Sequence, residues 1–423
     1  MFSIFIALAL LLRIVLMPIS AHSDLFFINT FPALMIKKNV FDIFSYFAIN
    51  LPNLNYTYYP PLVYLTFGLF QYIYAFLSPT FSSWMFSLYQ LETSNFQGQA
   101  ADFIRISPNA NIYKDLLLAK VPYLIFDVLI VITLFTLIKN RTKFKILTLL
   151  WLFNPVHLYS TYLMGQFEVI PAFFVLLGLL FLRKRLFLGF FVLGIAAAYK
   201  NYAFIFILIA VLIYGESWKQ RIKLVFVSVI PYLVVLLPTL IANPSMTLFS
   251  FFPKVYLKYR KPLEGWSLYS TYIRYFVLVL SLICLFFVSY YIRLKNKWNL
   301  LLEVSLISLL LVYAFAPRIS FHYLMWELPL LLLWVKTPKQ YVWIIIIQSL
   351  SLASYKLLAN HLQIGLLSPL NNNFALIPTL NSQINQLFPY SIISNTGFFV
   401  FFFFNIYLAS KIMIDLFMRE QTI

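Results

Sequence analysis

Long apolar runs, separated by short polar connectors, follow one another along almost the whole chain. The runs lie near 3–20, 117–138, 146–163, 167–182, 186–199, 202–214, 224–242, 269–292, 300–316, 322–335, 341–357 and 393–417. A helix of about 17 to 25 apolar residues can cross a hydrocarbon core of about 30 Å. The runs lack the alternation over roughly 10-residue segments that a membrane β-barrel requires. The pattern therefore predicts an all-α, polytopic bundle of about 11 to 13 transmembrane helices.

The basic residues are concentrated in the connectors that follow every second predicted span, at 139–145, 183–185, 218–223, 293–297 and 336–340. Such clusters are typical of loops that stay on the cytoplasmic side of a membrane. The connectors of the opposite face are "MGQFE", "YKNYA", 243–268, "APRISFHY" and 358–392. The charge pattern therefore predicts that the chain changes sides at each run.

Residues 21–116 form a long excursion between the first two spans, and one part of it is ambiguous. The apolar segment 59–79 could cross the membrane or lie at its interface, and its start at Pro60 and Pro61 and its many tyrosines suit an interface. If it crosses, Asp24 lies on the same face as the basic connectors; if it does not, Asp24 lies opposite them. We expect one integral-membrane domain, 1–423, with this first loop, a central core at 117–335 and C-terminal helices at 336–423.

Composition and charge agree with a membrane protein. Hydrophobic residues make up 62% of the chain, charged residues 10%, and the mean hydropathy is +0.87, whereas soluble domains contain about 25% charged residues. A net charge of +18 would suggest nucleic acid in a soluble protein, but here the connectors account for it. Because Cys284 is the single cysteine, an internal disulfide and a cysteine-based metal cluster are excluded.

The first run could also be interpreted as a cleaved signal peptide ending at "ISA". Arg13 interrupts the apolar stretch, and the residues before it include no lysine or other arginine. We therefore expect an uncleaved first span, with Asp24 just beyond it.

Two ionisable residues within or beside predicted spans are expected to be structural. Asp127 lies inside the span 117–138, where a charge is costly and usually has a partner, so we expect it to pair with a basic side chain. His157 follows "WLFNP" and is predicted to end a helix rather than bind a ligand.

Several segments, in order, resemble the C superfamily (GT-C) of integral-membrane glycosyltransferases, and most closely the mannosyltransferases of GPI-anchor synthesis and their bacterial relatives. They are "HSDLFF", "YPPL", "LAKVPYLIFDVLIVITLF", "LLWLFNPVHLYSTYLMGQFE", "GFFVLGIAAAYKNYAFIFILI" and "ISFHYLMWELPLLLL". The resemblance covers residues 10–335. Many relatives carry two acidic residues where Asp24 stands without an acidic neighbour, and Glu168 stands where Asp is common.

The resemblance implies transfer of a hexose, mannose by analogy, from a polyprenyl-phosphate donor to a lipid-linked or glycan acceptor, by a single displacement with inversion. Such a reaction needs one base at the attacking hydroxyl and positive charge at the departing phosphate. Asp24 is the expected base, with a pKa raised by partial desolvation. The donor phosphate would be bound by Lys200, Arg318 and His322, and more weakly by Arg260 and Lys261. Gln166, Glu168 and Tyr59 would contact the acceptor.

The resemblance also places the active site on the extracytoplasmic face, in a plasma membrane if the chain is bacterial and in the endoplasmic reticulum if it is eukaryotic. Segment 59–79 is then interfacial. With four histidines in no spaced cluster, no protein-held metal is expected, although a divalent Mg²⁺ or Mn²⁺ bridging Asp24 and the phosphate stays open.

Blander interpretations of these residues stay open at this point. Asp24 could end a helix at the interface, Lys200 could extend towards lipid headgroups, and Glu168 could stabilise a helix N-terminus. The alternative function is a polytopic lipid or polysaccharide transporter or flippase. Such proteins often show repeats and ionisable groups near the midplane; here no repeat is found, and the polar groups gather at one predicted face.

Overall fold

The computed structural model describes residues 2–40, 46, 59–93, 100–242, 266–291, 297–316, 319–356, 364–371 and 390–421. Within those residues the chain is almost entirely helical and contains no strand, which confirms the all-α class. We number the helices α1 Phe2–Ile19, α2 Ser23–Lys38, α3 Pro61–Tyr74, α4 Phe81–Thr93, α5 Ala100–Ile106, α6 Ile112–Leu137, α7 Arg141–Leu152, α8 Pro155–His157, α9 Val169–Leu182, α10 Leu186–Tyr199, α11 Ala203–Tyr214, α12 Trp218–Ala242, α13 Trp266–Tyr291, α14 Lys297–Phe315, α15 Leu328–Trp334, α16 Pro338–Lys356 and α17 Tyr390–Gln421. A π-helical turn covers Leu158–Leu163, and 3₁₀ turns cover Phe321–Trp326 and Ile364–Leu367.

Five helical segments of the described chain are long and apolar enough to cross a membrane: Phe2–Ile19, Ile112–Leu137, Trp218–Pro238, Lys297–Phe315 and Asn395–Arg419. Three other predicted spans, those of α9, α10 and α11, are helices of 12 to 14 residues. At 1.5 Å per residue these reach about 18 to 21 Å, less than a hydrocarbon core of about 30 Å. Hydropathy located these helices well but overestimated how many of them are long enough to span.

Two predicted spans are not single helices, which corrects the sequence expectation. In 146–163, α7 ends at Leu152, and Asn154 caps the short α8 by accepting a hydrogen bond from the His157 N–H at 3.0 Å. Pro155 opens α8, where its missing N–H costs nothing, and the π-helical turn follows. In 322–335, a 3₁₀ turn precedes α15, with Pro329 in the first turn of α15.

Helices α1 and α6 run antiparallel. Arg13 of α1 contacts Asp127 of α6, and the C-terminal carbonyl of Met17 contacts Lys120, which lies earlier in α6. At the other end, Phe2 packs against Phe144 in the first turn of α7, with ring centroids 6.2 Å apart. The chain therefore enters and leaves the excursion 21–111 at the same end of the bundle.

The basic connectors gather at the opposite end. Arg183, which follows α9, lies 3.8 Å from the centroid of Trp298 at the start of α14, and Lys297 pairs with Glu216 at 3.3 Å. Lys143 and Lys336 line one cavity. Helix α9 runs from Glu168 at one end to Arg183 at the other, so we call these the site end and the basic end.

Within the excursion, α3 packs antiparallel against α2. The Gln71 amide donates to Asn29 O at 2.6 Å, and Tyr64 lies edge-on to Phe31 with ring centroids 5.0 Å apart. Helix α3 has 14 residues, about 21 Å, and is too short to cross a core of about 30 Å. Asp24 follows α1 at the end away from Phe2 and Phe144, so it lies opposite the basic connector 139–145.

Candidate functional site

Asp24 is placed by the corner between α1 and α2. His22 caps α2: its Nδ1 accepts the Asp24 backbone N–H at 3.1 Å. The same Nδ1 lies 3.2 Å from Asp24 Oδ2, so a protonated His22 can donate to the carboxylate instead. Because Asp24 lies in the first turn of α2, its negative charge also faces the positive end of the helix dipole. Its side chain is 33% exposed, which leaves the carboxylate accessible.

The "MGQFE" connector brings Gln166 to Asp24. Gly165 has φ = +71°, and a Cβ there would lie 2.9 Å from the Leu25 side chain, so only glycine lets this turn approach α2 so closely. The Tyr123 hydroxyl donates to Gly165 O at 2.7 Å, and the Gln166 N–H donates to Ser160 O at 2.9 Å. The Gln166 amide then donates to Asp24 Oδ2.

Glu168, two residues later, is fully buried and has three partners. It pairs with the Lys200 ammonium, accepts from Trp326 Nε1 at 2.7 Å, and lies 3.7 Å from His322 Nε2. A buried carboxylate needs such partners, because an unpaired charge removed from water is costly. Glu168 is therefore a buried member of an ion pair, and it does not only stabilise the N-terminus of α9.

Lys200 is surrounded by aromatic rings. Its Nζ lies 5.0 to 5.8 Å from the ring centroids of Tyr59, Phe167, Tyr323 and Trp326, within the range of cation–π attraction. Trp326 also stacks on Tyr202, with centroids 4.3 Å apart. The Lys200 side chain is only 13% exposed, so the interpretation that it extends towards lipid headgroups is wrong.

The charges around Asp24 reverse the pKa shift that the sequence suggested. Burial on its own would raise the pKa of Asp24, but His22, and then His322 and Lys200, lower it to about 2. The expectation of a raised pKa considered desolvation alone and missed His22, two positions away in sequence. Burial and the charges of Asp24 and Glu168 raise the pKa of Tyr59, whose hydroxyl therefore stays protonated and able to donate.

The structure brings six of the predicted site residues to one end: Asp24, Tyr59, Gln166, Glu168, Lys200 and His322. Arg260, Lys261 and Arg318 lie outside the described residues. Among the described residues, no group of three or more His, Cys, Asp or Glu side chains is arranged to hold a metal ion.

A second cluster of polar side chains, around Asp127, is buried inside the bundle. As expected, Asp127 pairs with a basic side chain: Arg13 Nε donates to it at 2.6 Å. Trp151 Nε1 and the Tyr162 hydroxyl also donate, at 2.6 and 2.7 Å. His157 does end α8, but its Nε2 also lies 3.0 Å from Asp127 Oδ2, a contact the sequence did not predict.

Two features of the site were not predicted. The aromatic side chains of Phe167, Tyr323 and Trp326 are adjacent to motif residues, yet a chain with 20% aromatic residues offers many such neighbours. Lys120, inside the apolar run 117–138, carried a stronger signal, because an ionisable residue within such a run usually has a role.

Neither models of known protein families nor curated proteins give a match to this chain.

Proposed function

We propose that the protein is a polytopic membrane glycosyltransferase that transfers a hexose from a polyprenyl-phosphate donor to a hydroxyl of a lipid-linked or glycan acceptor. The observation that carries the proposal is the grouping of a part-exposed, ionised carboxylate, Asp24, with an ammonium, Lys200, and an imidazole, His322, at one end of the bundle. The identity of the hexose as mannose rests on the resemblance to GPI-type mannosyltransferases.

In the proposed mechanism, the acceptor hydroxyl attacks C1 of the hexose while Asp24 takes its proton. The new C1–O bond forms on the face opposite the bond to phosphate, which breaks, and polyprenyl phosphate departs with the bonding electrons. The configuration at C1 is therefore inverted. With a pKa of about 2, Asp24 is a weak base, so it accepts the proton late, when bond formation has already made the hydroxyl acidic. Gln166 holds the carboxylate in place.

The departing phosphate needs positive charge, and Lys200 and His322 can supply it. Lys200 is already paired with Glu168, so a phosphate has to compete with that carboxylate. His322 lies 3.7 Å from the same oxygen and can retain Glu168 when Lys200 turns to the phosphate. In this proposal the site exchanges one anionic partner of Lys200 for another, and Trp326 Nε1 continues to donate to Glu168.

A divalent cation does not fit a site held by the protein alone, because three ligand side chains are not gathered among the described residues. No step of the mechanism passes through one. The donor set that is present, one carboxylate with an ammonium and an imidazole, suits a phosphate held by hydrogen bonds and charge.

We further propose that the site end faces the extracytoplasmic side and the basic end the cytoplasm, as the distribution of Lys and Arg favours. A thiol-specific, membrane-impermeant reagent tests this on intact cells with Ser23→Cys in a Cys284→Ser background. Labelling from outside supports the orientation. Labelling only after permeabilisation would reverse it.

The transfer reaction itself is tested with purified protein in liposomes, supplied with a polyprenyl-phosphate hexose and a candidate lipid acceptor. We expect a covalently glycosylated acceptor and released polyprenyl phosphate. Movement of the donor across the bilayer without any covalent product, under the same conditions, would instead support a flippase and contradict the proposal.

A further inference from the structure

Lys120 is a fully buried lysine on the inner face of α6 with four oxygen partners. Its Nζ contacts Met17 O at 2.9 Å, Ser20 O at 2.7 Å, Ser20 Oγ at 2.8 Å and Tyr162 O at 2.7 Å. Three of these oxygens belong to the last residues of α1 and to Ser20, which follows it, and the fourth belongs to the π-helical turn. Ser20 Oγ also donates to Tyr162 O at 3.1 Å, so Lys120 and Ser20 together join two segments that are more than 140 positions apart in sequence.

The two segments that Lys120 joins lead directly to the candidate base and its partner. Asp24 follows Ser20 by four positions, and Gln166 follows Tyr162 by four positions. One helical turn along α6, the Tyr123 hydroxyl holds Gly165 O at 2.7 Å. The side chain of Tyr162 is also fixed, because its hydroxyl donates to Asp127 at 2.7 Å. Helix α6 therefore contacts both chain segments, the one that leads to Asp24 and the one that leads to Gln166. The Asp24–Gln166 hydrogen bond joins the two segments.

Stability alone does not explain a lysine at this place. An apolar side chain of similar volume often serves a buried position as well as a charge does, because desolvation offsets most of the gain from pairing. What Lys120 supplies is direction: its N–H groups bind the Met17 and Ser20 carbonyls, which the end of α1 leaves without helical partners, and also the Tyr162 carbonyl.

We propose that Lys120 is a positioning residue that sets Asp24 and Gln166 against each other for the transfer reaction. This inference rests on the proposed function for its catalytic part, but the mechanical part is independent of it. Displacements of about 1 Å at a reacting group can cost about 10²-fold in rate, so loss of the Lys120 contacts should be visible in turnover without any change in the groups that touch substrate.

The variant Lys120→Met removes the donors and keeps most of the length of the side chain. Lys114→Met is the matched control: it removes a lysine of the same helix that donates to Leu77 O rather than to Ser20 or Tyr162. Two measurements are made on both variants in detergent or liposomes. They are steady-state transfer kinetics and hydrogen exchange of backbone amides read by mass spectrometry.

For Lys120→Met we expect kcat to fall by about tenfold to a hundredfold, with the donor KM within about threefold of wild type. We also expect about tenfold faster exchange in 20–25 and 162–168, where local opening becomes easier, and no change within α9. Lys114→Met should leave all three quantities unchanged. If Lys120→Met does not fold, Ser20→Ala is used instead, since it removes the hydroxyl that contacts both Lys120 and Tyr162 O. It should shift kcat and exchange in the same directions by about threefold.

Unchanged exchange, or faster exchange with an unchanged kcat, would overturn the positioning role, as would a rise in donor KM alone. Failure of the proposed function is distinguished by Asp24→Asn. If that variant transfers sugar at the wild-type rate, Asp24 is not the base, whatever the exchange data say about Lys120.

Discussion

Asp24 and Asp127 are both aspartates beside a histidine, but they differ in how many of their lone pairs are already occupied. Asp127 accepts hydrogen bonds from three side chains, His157 Nε2 lies 3.0 Å from it, and its own side chain is 2% exposed. Asp24 is contacted by Gln166 and His22, and its side chain is 33% exposed. The first carboxylate has no room for a substrate hydroxyl, whereas the second does.

The comparison separates two uses of a rare charge in an apolar chain. At Asp127 the charge fixes the packing of α6 against α1, α8 and the π-helical turn, since its partners Arg13, His157 and Tyr162 come from these three segments. The Asp24 carboxylate is contacted by Gln166 and His22, and the rest of it is exposed. A base that acts on the hydroxyl of a bound substrate requires such an accessible carboxylate. Burial and saturation of partners, rather than residue type, distinguish the structural acid from the candidate catalytic one.

The largest expected effect is on stability, at Asp127. Asp127→Asn leaves Arg13 as a buried cation without a counter-charge, which should lower the free energy of unfolding by about 3–5 kcal/mol. Unfolding of the purified protein in detergent, followed by circular dichroism, measures the change. The control is Arg13→Met combined with Asp127→Leu, which removes both charges and should recover most of the loss. A single variant within about 1 kcal/mol of wild type would show that the cluster does not hold the fold.

The next largest effect is expected on the donor KM, at Lys200 and Glu168. If Lys200 binds the donor phosphate, Lys200→Met should raise the donor KM by about tenfold or more, since a hydrogen bond to a charged group contributes about 1.5–3 kcal/mol. Glu168→Gln keeps an acceptor for Trp326 Nε1 but removes the carboxylate that competes with phosphate, so the donor KM should stay the same or fall. Steady-state kinetics at varied donor concentration measures both. A KM raised equally in the two variants would mean that Glu168 orients Lys200 and does not compete for it.

The smallest effect concerns pH and His22. Since the pKa of Asp24 is lowered to about 2, the ionised form is fully present above its ordinary pKa of about 3.9 and is lost only as the pH falls through about 2. The kcat/KM profile of the wild type should therefore show no acid limb from Asp24 above about pH 4. His22→Gln removes the largest lowering charge, so the pKa of Asp24 and the acid limb should move to higher pH, with little change at pH 7. An unmoved profile in this variant would separate His22 from the ionisation of Asp24.

The course of the backbone could be predicted in large part from hydropathy. Helix α10 has the predicted bounds 186–199, and most other helices begin or end within a few residues of their predicted runs. The helix break at Asn154–Pro155 was not predicted, because the mean hydropathy of an apolar run is hardly changed by one capping asparagine and one proline. The resemblance already implied that Asp24 lies opposite the basic connectors, and the antiparallel packing of α1 against α6 agrees with that position.

The site could be predicted as a set of residues, but not as a set of contacts. The sequence predicts Lys200 as a phosphate ligand, and the structure pairs it with Glu168. This pair could not be predicted, because a sequence alone does not show which charges 32 positions apart are in contact. The position of Lys120 inside an apolar run indicates a role, but its three backbone-carbonyl partners cannot be predicted from hydropathy or motifs. Long-range polar contacts of this kind depend on how the helices pack.

The proposed mechanism requires Asp24 to take the proton of the acceptor hydroxyl, so the transfer rate of Asp24→Asn shows whether it does. In a variant with a wild-type unfolding midpoint, we predict a fall in kcat of about 10²-fold or more, with little change in donor KM. Wild-type turnover by the folded variant would mean that Asp24 is not the base.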